Sequence, residues 1–127
     1  MKPAILKEKI LEEVKGIPKQ FRTDRVIRDV IKAVLYRFIK DEGLIPVPSY
    51  QHPKFRDSFI DMIAIDDKMN VVYSFAVDSV VTLQGVKGLN FFEDSKRFFI
   101  TYSRLEKKVE ESKFFLSGDI GHVNIFG

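Results

Sequence analysis

Two short apolar segments in the middle of the chain, residues 57–66 and 71–78, are separated only by the polar stretch DDKMN. Runs of this length, rich in β-branched and aromatic residues on both sides of a turn, predict an antiparallel β-hairpin. Each predicted strand contains an aspartate, Asp61 in the first and Asp78 in the second. The chain must therefore build its sheet around a hairpin that carries a carboxylate in each strand.

The residues before the hairpin predict two amphipathic helices. The first spans about residues 3–15 and ends at Gly16. The second has Thr23 as its N-cap and Gly43 just beyond its last turn. One continuous apolar stripe at helical spacing marks this second helix: Val26, Ile27, Val30, Ile31, Val34, Leu35, Phe38 and Ile39. The opposite face is expected to carry Arg25, Arg28, Lys32 and Tyr36.

The remaining segments predict further strands and helices. Residues 44–47 form a short edge strand, because Pro46 cannot donate a hydrogen bond to a neighbouring strand. Residues 80–94 predict a helix with Gly85 and Gly88, and such glycines mark close packing of a backbone against a sheet. The pattern ends with a strand at 97–102, a helix at 105–115 and a strand at 122–126.

The resulting order of elements is α-α-β-β-β-α-β-α-β. Strands that alternate with helices need right-handed crossovers and parallel pairing, whereas the central hairpin is antiparallel. We therefore predict an α/β fold with a mixed sheet sandwiched between helices. A chain of 127 residues is expected to form one domain.

The composition narrows the function classes. There is no cysteine, which excludes disulfides, thiolate metal sites and a cysteine nucleophile. No apolar run approaches the roughly 18 residues of a membrane span, and the charged N-terminus does not resemble a secretory signal, so we expect a cytoplasmic protein. Residues 1–42 hold 11 Lys/Arg and 7 Asp/Glu, a net charge of +4. This excess is compatible with an anionic partner, although ordinary solvated helix faces would give the same count.

Asp61 and Asp78 are expected to lie nearly opposite each other across the hairpin, because side chains alternate along a strand. Two carboxylates on one side repel, and burial strengthens the repulsion. A divalent cation would relieve it, and Mg²⁺ favours one or two carboxylates together with waters and a substrate phosphate. Two other interpretations stay open: Asp61 accepts backbone hydrogen bonds in a bent strand, and Asp78 caps the helix that follows.

The order of elements resembles the core of the PD-(D/E)XK nucleases, which include restriction enzymes and archaeal Holliday junction resolvases. In that family one strand ends in a metal-binding aspartate, and the next carries an acid-x-lysine motif. Here Ile-Asp at 60–61 stands where Pro-Asp would be, and Asp-Ser-Val at 78–80 stands where acid-x-Lys would be. The resemblance covers about residues 23–126. It implies a restriction-endonuclease-like mixed central sheet flanked by helices, with residues 1–20 as an extra N-terminal helix.

The resemblance also implies a chemistry: a variant Mg²⁺- or Mn²⁺-dependent nuclease acting on DNA or RNA phosphodiesters. Asp61 and Asp78 would then be the catalytic metal ligands. Val80 occupies the position of the family's lysine, which orients or deprotonates the attacking water. Lys87, or Gln84, on the following helix would replace that lysine.

Two parts of such a site remain open in the sequence. The acid that the family carries on its first helix has no clear equivalent, and Glu42 is one candidate for completing the site. The phosphate backbone of a nucleic acid would be held by Arg25, Arg28 and Lys32.

Two alternatives to a nuclease are kept. A catalytically inactive relative would bind nucleic acid or serve as an oligomerisation module, and it would need no lysine at position 80. An unrelated α/β interaction domain would use the two aspartates only as caps. Phenylalanine pairs at 91–92, 98–99 and 114–115 are candidates for the core and for an oligomer interface, and we expect a homodimer.

Overall fold

The elements follow the predicted order in a computed structural model that describes all 127 residues, Met1–Gly127. The helices are α1 (Pro3–Lys15), α2 (Asp24–Asp41), α3 (Leu83–Leu89) and α4 (Glu106–Ser112). The strands are β1 (Ile45–Tyr50), β2 (Ile60–Ile65), β3 (Val71–Asp78), β4 (Lys96–Thr101) and β5 (Ile120–Asn124). None of the helices is both long and apolar enough to cross a membrane.

The five strands form one sheet in the order β1-β2-β3-β4-β5. The pairs β1–β2 and β2–β3 are antiparallel, whereas β3–β4 and β4–β5 are parallel. The structure thereby confirms the α/β class, the mixed sheet and the antiparallel central hairpin.

Helix α2 begins and ends where its capping residues predict. The Thr23 hydroxyl accepts a hydrogen bond from the Val26 backbone N–H at 3.3 Å. Gly43 has a φ of +77°, a left-handed conformation that glycine adopts without steric cost. Both end signals are local, which explains why the sequence predicts them well.

Helices cover both faces of the sheet. On one face α1 and α2 pack together, and the side chains of Leu6, Ile10 and Val14 on α1 are buried in the largest core cluster. On the other face α3 packs closely against the sheet. A Cβ atom added at Gly85 would lie 2.6 Å from the Phe99 ring, which confirms the predicted close approach.

The polar face predicted for α2 needs a correction. Arg25 and Tyr36 are exposed, but Arg28 and Lys32 are partly buried and contact the sheet. Arg28 and Lys32 each precede a buried residue, Ile31 and Leu35, by three positions, which places them along the edge of the buried stripe. They border the sheet for that reason.

Candidate functional site

Both aspartates of the hairpin lie at the same end of the sheet. Asp78 is the last residue of β3 and pairs with Thr101, the last residue of β4. Asp61 is the second residue of β2, which runs antiparallel to β3 and therefore begins at that end. In open α/β sheets, ligands commonly bind beyond the carboxyl ends of the parallel strands.

Asp61 is a buried carboxylate that bonds to the backbone. The paired register of β2 and β3 begins only at Met62 and Phe75. Just beyond it, Oδ2 of Asp61 accepts a hydrogen bond from the Val77 backbone N–H at 2.8 Å. The carboxylate thus replaces a backbone acceptor beyond the paired register, which confirms the part of the prediction that has Asp61 accept a backbone hydrogen bond.

The second carboxylate oxygen of Asp61 is paired with an arginine of α2. Nη2 of Arg28 donates to Oδ1 of Asp61 at 2.9 Å, and the Asp61 side chain is 7% exposed whereas that of Arg28 is 35% exposed. Burial alone lowers the pKa of Arg28, but the hydrogen bond to Asp61 and the charges of Asp61 and Asp78 raise it above its usual value. The protein therefore places a permanent cation of its own beside the two aspartates.

Asp78 lies close to the buried ring of Tyr102. Burial raises the pKa of Tyr102, and the negative charge of Asp78 raises it further, while Arg28 lowers it. The Asp78 carbonyl also accepts a hydrogen bond from the Tyr102 backbone N–H at 3.3 Å. Arg28, Asp61, Asp78 and Tyr102 together form what we call the arginine–carboxylate cluster.

The interpretation of Asp78 as the cap of α3 is wrong. Oδ1 of Asp78 accepts from the adjacent Ser79 N–H at 2.7 Å, at the end of the strand. The helix begins only at Leu83, and the Thr82 hydroxyl accepts from the Gly85 N–H at 3.1 Å. Thr82 caps α3 because it immediately precedes the helix, whereas Asp78 still belongs to β3.

The carboxylate of Asp61 has protein partners on both of its oxygens, which bears on the predicted metal site. Both oxygens of Asp61 are engaged, one by Arg28 and the other by the Val77 N–H. The structure contains no group of three or more His, Asp or Glu side chains that could hold a metal. A divalent cation at Oδ1 of Asp61 would compete with the positively charged guanidinium of Arg28.

Two other candidate residues, Lys87 and Glu42, make no hydrogen bond or ion pair with Asp61. Asp61 borders a small cavity of about 30 Å³, to which α3 contributes Gln84, Gly85 and Gly88. Lys87 is exposed and does not line this cavity. Glu42 lies 3.4 Å from the Met1 nitrogen and raises the pKa of Tyr73, which burial has already raised, near the start of β3 rather than its end.

The three basic residues predicted to contact nucleic acid do share one groove. This open groove of about 500 Å³ lies beside the arginine–carboxylate cluster, and we call it the basic groove. Its lining includes Arg25, Arg28 and Lys32 from α2, Ser49 from β1, Phe59 before β2 and Tyr102 after β4. Asp29 is the one acidic residue of the lining.

The sequence interpretation missed Ser49, Phe59 and Tyr102. Ser49 has a φ of +52°, which is uncommon for a residue other than glycine, and its hydroxyl accepts from Lys32 Nζ at 2.6 Å. The same ammonium lies 5.3 Å from the centre of the Phe59 ring. The only sequence signal near these three residues is the mixture of aromatic and basic residues in the loop before β2.

Comparison with protein-family models, with curated proteins and with solved structures finds no significant match to this chain. The fold and the site define an α/β domain with a five-stranded mixed sheet. At one end of that sheet, a groove whose lining includes three basic residues adjoins the partly buried arginine–carboxylate cluster.

Proposed function

We propose that this chain is a restriction-endonuclease-like domain that binds the phosphate backbone of nucleic acid without cleaving it. The observation that carries the proposal is the ion pair between Arg28 and the buried Asp61, next to a groove lined by two further basic residues. The mixed sheet supports the proposal, because the resemblance to the nucleases implies a mixed central sheet flanked by helices.

The arrangement of the cluster supports binding rather than hydrolysis. A metal-dependent nuclease uses carboxylate oxygens to hold the ion that activates water, and a cationic side chain paired with such a carboxylate competes with that ion. In this chain Arg28 and the Val77 N–H use both oxygens of Asp61. Val80 is an aliphatic residue at the lysine position, and the exposed Lys87 does not replace that lysine beside Asp61.

The basic groove has the chemistry to hold phosphates. Arg25 is exposed, and the guanidinium of Arg28 uses one of its five N–H groups on Asp61. The others can donate to a phosphate, for which the planar guanidinium is well suited. Lys32 adds a third cation on the same side of α2.

The test measures the binding of a fluorescent DNA oligonucleotide by anisotropy over a range of salt concentrations. We expect Arg25→Ala with Lys32→Ala to weaken binding at least tenfold at low salt and to reduce the salt slope by about 2, because each phosphate contact contributes about one unit. The matched control is Lys107→Ala with Lys108→Ala, which removes the same charge from exposed positions on α4. Equal losses in both double variants would contradict the proposal.

Metal-dependent cleavage is the second candidate function. The observation that favours it is that Asp61 pairs with Arg28 at 2.9 Å and that the negative charge of Asp78 also raises the pKa of Arg28, so both carboxylates lie near one guanidinium. Cleavage would require Arg28 to release Asp61. Branched, double-stranded and single-stranded DNA incubated with Mg²⁺ or Mn²⁺ should stay intact under our proposal. Cleavage that disappears in Asp61→Asn would overturn it in favour of a nuclease.

A second groove supports the expected homodimer. The surface between α1 and α2 has a depression of about 250 Å³ with Val30, Val34 and Phe38 in its lining. Its rim carries both signs of charge: Lys9 and Arg37 against Glu12, Glu13 and Asp41. A second copy related by two-fold symmetry could pair basic residues with acidic ones. Light scattering after size exclusion should show a dimer that Val34→Asp converts to a monomer, and a wild-type protein that stays monomeric at all concentrations would exclude it.

A further inference from the structure

We propose that the ligand of the basic groove is single-stranded nucleic acid and that Phe59 provides the surface on which one of its bases stacks. The inference rests on the proposed function and adds a substrate class to it. It starts from an aromatic ring that the fold leaves accessible at the point where two features meet, the basic groove and the small cavity beside Asp61.

Phe59 differs from the apolar residues around it. Its side chain is 43% exposed, whereas Ile60, the next residue, and Phe55, in the same loop, are both buried. An exposed aromatic ring has no role in the core and leaves apolar surface in water. Proteins that bind single strands use such rings beside basic residues as platforms for bases, and stacking contributes about 1–3 kcal/mol per base.

A cation is fixed next to this ring. Lys32 Nζ lies 5.3 Å from the ring centre and donates to the Ser49 hydroxyl at 2.6 Å. Ser49 adopts its left-handed conformation at the position between the paired residues Pro48 and Tyr50 of β1. Backbone strain of this kind persists only where the surrounding structure supports it. Because the Lys32 ammonium lies beside the Phe59 ring, a phosphate that binds Lys32 would bring the base of the same nucleotide next to Phe59.

The geometry favours a single strand over a duplex. In a double helix the faces of the bases are stacked on one another, so only an unpaired base can offer its face to a protein ring. A second aromatic surface lies along the same loop. His52 stacks on Phe91 with ring centres 4.6 Å apart, and the exposed Lys54 and Arg56 follow it. A flexible strand could pass from the basic groove to this second surface.

The chain contains no tryptophan, which makes a direct test possible. In Phe59→Trp the only indole lies at the proposed stacking position, and in the control variant Phe114→Trp it lies at a position that is 81% exposed in the native chain and does not line the basic groove. We expect an oligothymidylate to quench the fluorescence of Phe59→Trp in a saturable manner and to leave that of Phe114→Trp nearly unchanged. A duplex of equal length and thymidine monophosphate should each quench Phe59→Trp far less.

A second measurement separates stacking from simple apolar contact. We expect Phe59→Leu to weaken oligothymidylate binding about tenfold without lowering the midpoint of thermal unfolding, because the side chain is exposed. Unchanged affinity of Phe59→Leu, or preference for the duplex, would overturn this inference while leaving backbone binding through Arg25 and Lys32 intact. Equal quenching by thymidine monophosphate would identify a free nucleotide as the ligand and would also overturn it. Failure of every nucleic acid to bind the wild-type chain would instead defeat the proposed function.

Discussion

Two arginine–aspartate pairs of similar length occur in this molecule, and their burial is reversed. The pair Arg28–Asp61 measures 2.9 Å, with the arginine 35% exposed and the carboxylate 7% exposed. The pair Arg97–Asp119 measures 2.8 Å, with the arginine 5% exposed and the carboxylate 80% exposed. The two distances are nearly equal, but the first pair buries its aspartate whereas the second buries its arginine.

The buried residue of each pair also bonds to a second part of the fold. Arg97 also donates to the Asn90 side chain at 2.7 Å, so it ties the residue after α3 to β4 and to the residue before β5. Asp61 holds the Val77 N–H where β2 and β3 separate. The more exposed residues of the two pairs therefore carry opposite charges. Asp119 offers a negative charge to water, whereas Arg28 offers a positive charge to the basic groove.

The largest effect on stability is expected when Arg28, the more exposed residue of the first pair, is replaced. Arg28→Ala should lower the free energy of unfolding by about 3 kcal/mol, because it leaves the Asp61 carboxylate buried without its counter-ion. Asp119→Ala should cost less than about 1 kcal/mol, because Asp119 is 80% exposed and water can take its place at Nη2 of Arg97, while Asn90 keeps Nη1. Urea unfolding of both variants measures the difference. Equal losses would show that burial does not distinguish the two pairs.

Substitution of Asp61 tests the role of the buried member. Asp61→Ala should cost about 2 kcal/mol, because the buried Val77 N–H loses its acceptor. Asp61→Asn keeps an acceptor oxygen at nearly the same place and should recover part of the loss. Native-state hydrogen exchange gives a local measurement: the Val77 amide should exchange faster in the alanine variant and remain protected in the asparagine variant. Equal exchange in the two variants would mean that Val77 does not depend on this side chain.

The sequence predicts most of the fold because the relevant signals are local. The boundaries of α2 follow from Thr23 and Gly43, and the boundaries of α1 from an apolar spacing that ends before Gly16. The glycines of α3 correctly indicate a close approach to the sheet. The same helix is nevertheless shorter than predicted, Leu83–Leu89. It starts later because Thr82 caps it, and a 3-10 turn at Asn90–Phe92 follows its last residue.

The candidate site is harder to predict because it depends on how elements meet. The sequence identifies Asp61 and Asp78 but not that Arg28 reaches Asp61, which depends on the rotation of α2 against the sheet. It also gives no sign that β2 and β3 separate at Asp61, since register is a property of two strands. Phe59 appears as one more apolar residue until its exposure is known.

Replacement of the buried Arg97 by an apolar residue should have a smaller effect on stability. Arg97→Met removes the charge and keeps much of the side-chain volume, and its two partners, Asn90 and Asp119, are exposed and can bind water instead. We expect a change within about 1 kcal/mol in the free energy of unfolding, as is typical when a buried ionic group gives way to an apolar one of similar volume. Oligonucleotide affinity should be unaffected. A clear loss of affinity would show that Arg97 also serves the groove.

The smallest effect concerns the titration of Tyr102, a member of the arginine–carboxylate cluster. Burial and the charge of Asp78 raise the pKa of Tyr102 above the ordinary value of 10.0. The folded state therefore keeps the phenol protonated at a pH where the unfolded chain loses the proton. The stability that this provides is complete below pH 10.0 and is lost as the pH rises through the folded pKa.

Ultraviolet difference absorbance can follow this titration in variants of both pairs. Asp78→Asn should move the pKa of Tyr102 down towards its ordinary value, because a negative neighbour is removed. Arg28→Ala should move it further up, because a positive neighbour is removed, and Arg97→Met should leave it in place. Tyr102→Phe identifies the signal against that of Tyr73, whose pKa is also raised by burial and by Glu42. A shift of the Tyr102 titration in Arg97→Met would mean that the two ends of the sheet are electrostatically coupled, and the contrast between the pairs would then fail as a guide to the site.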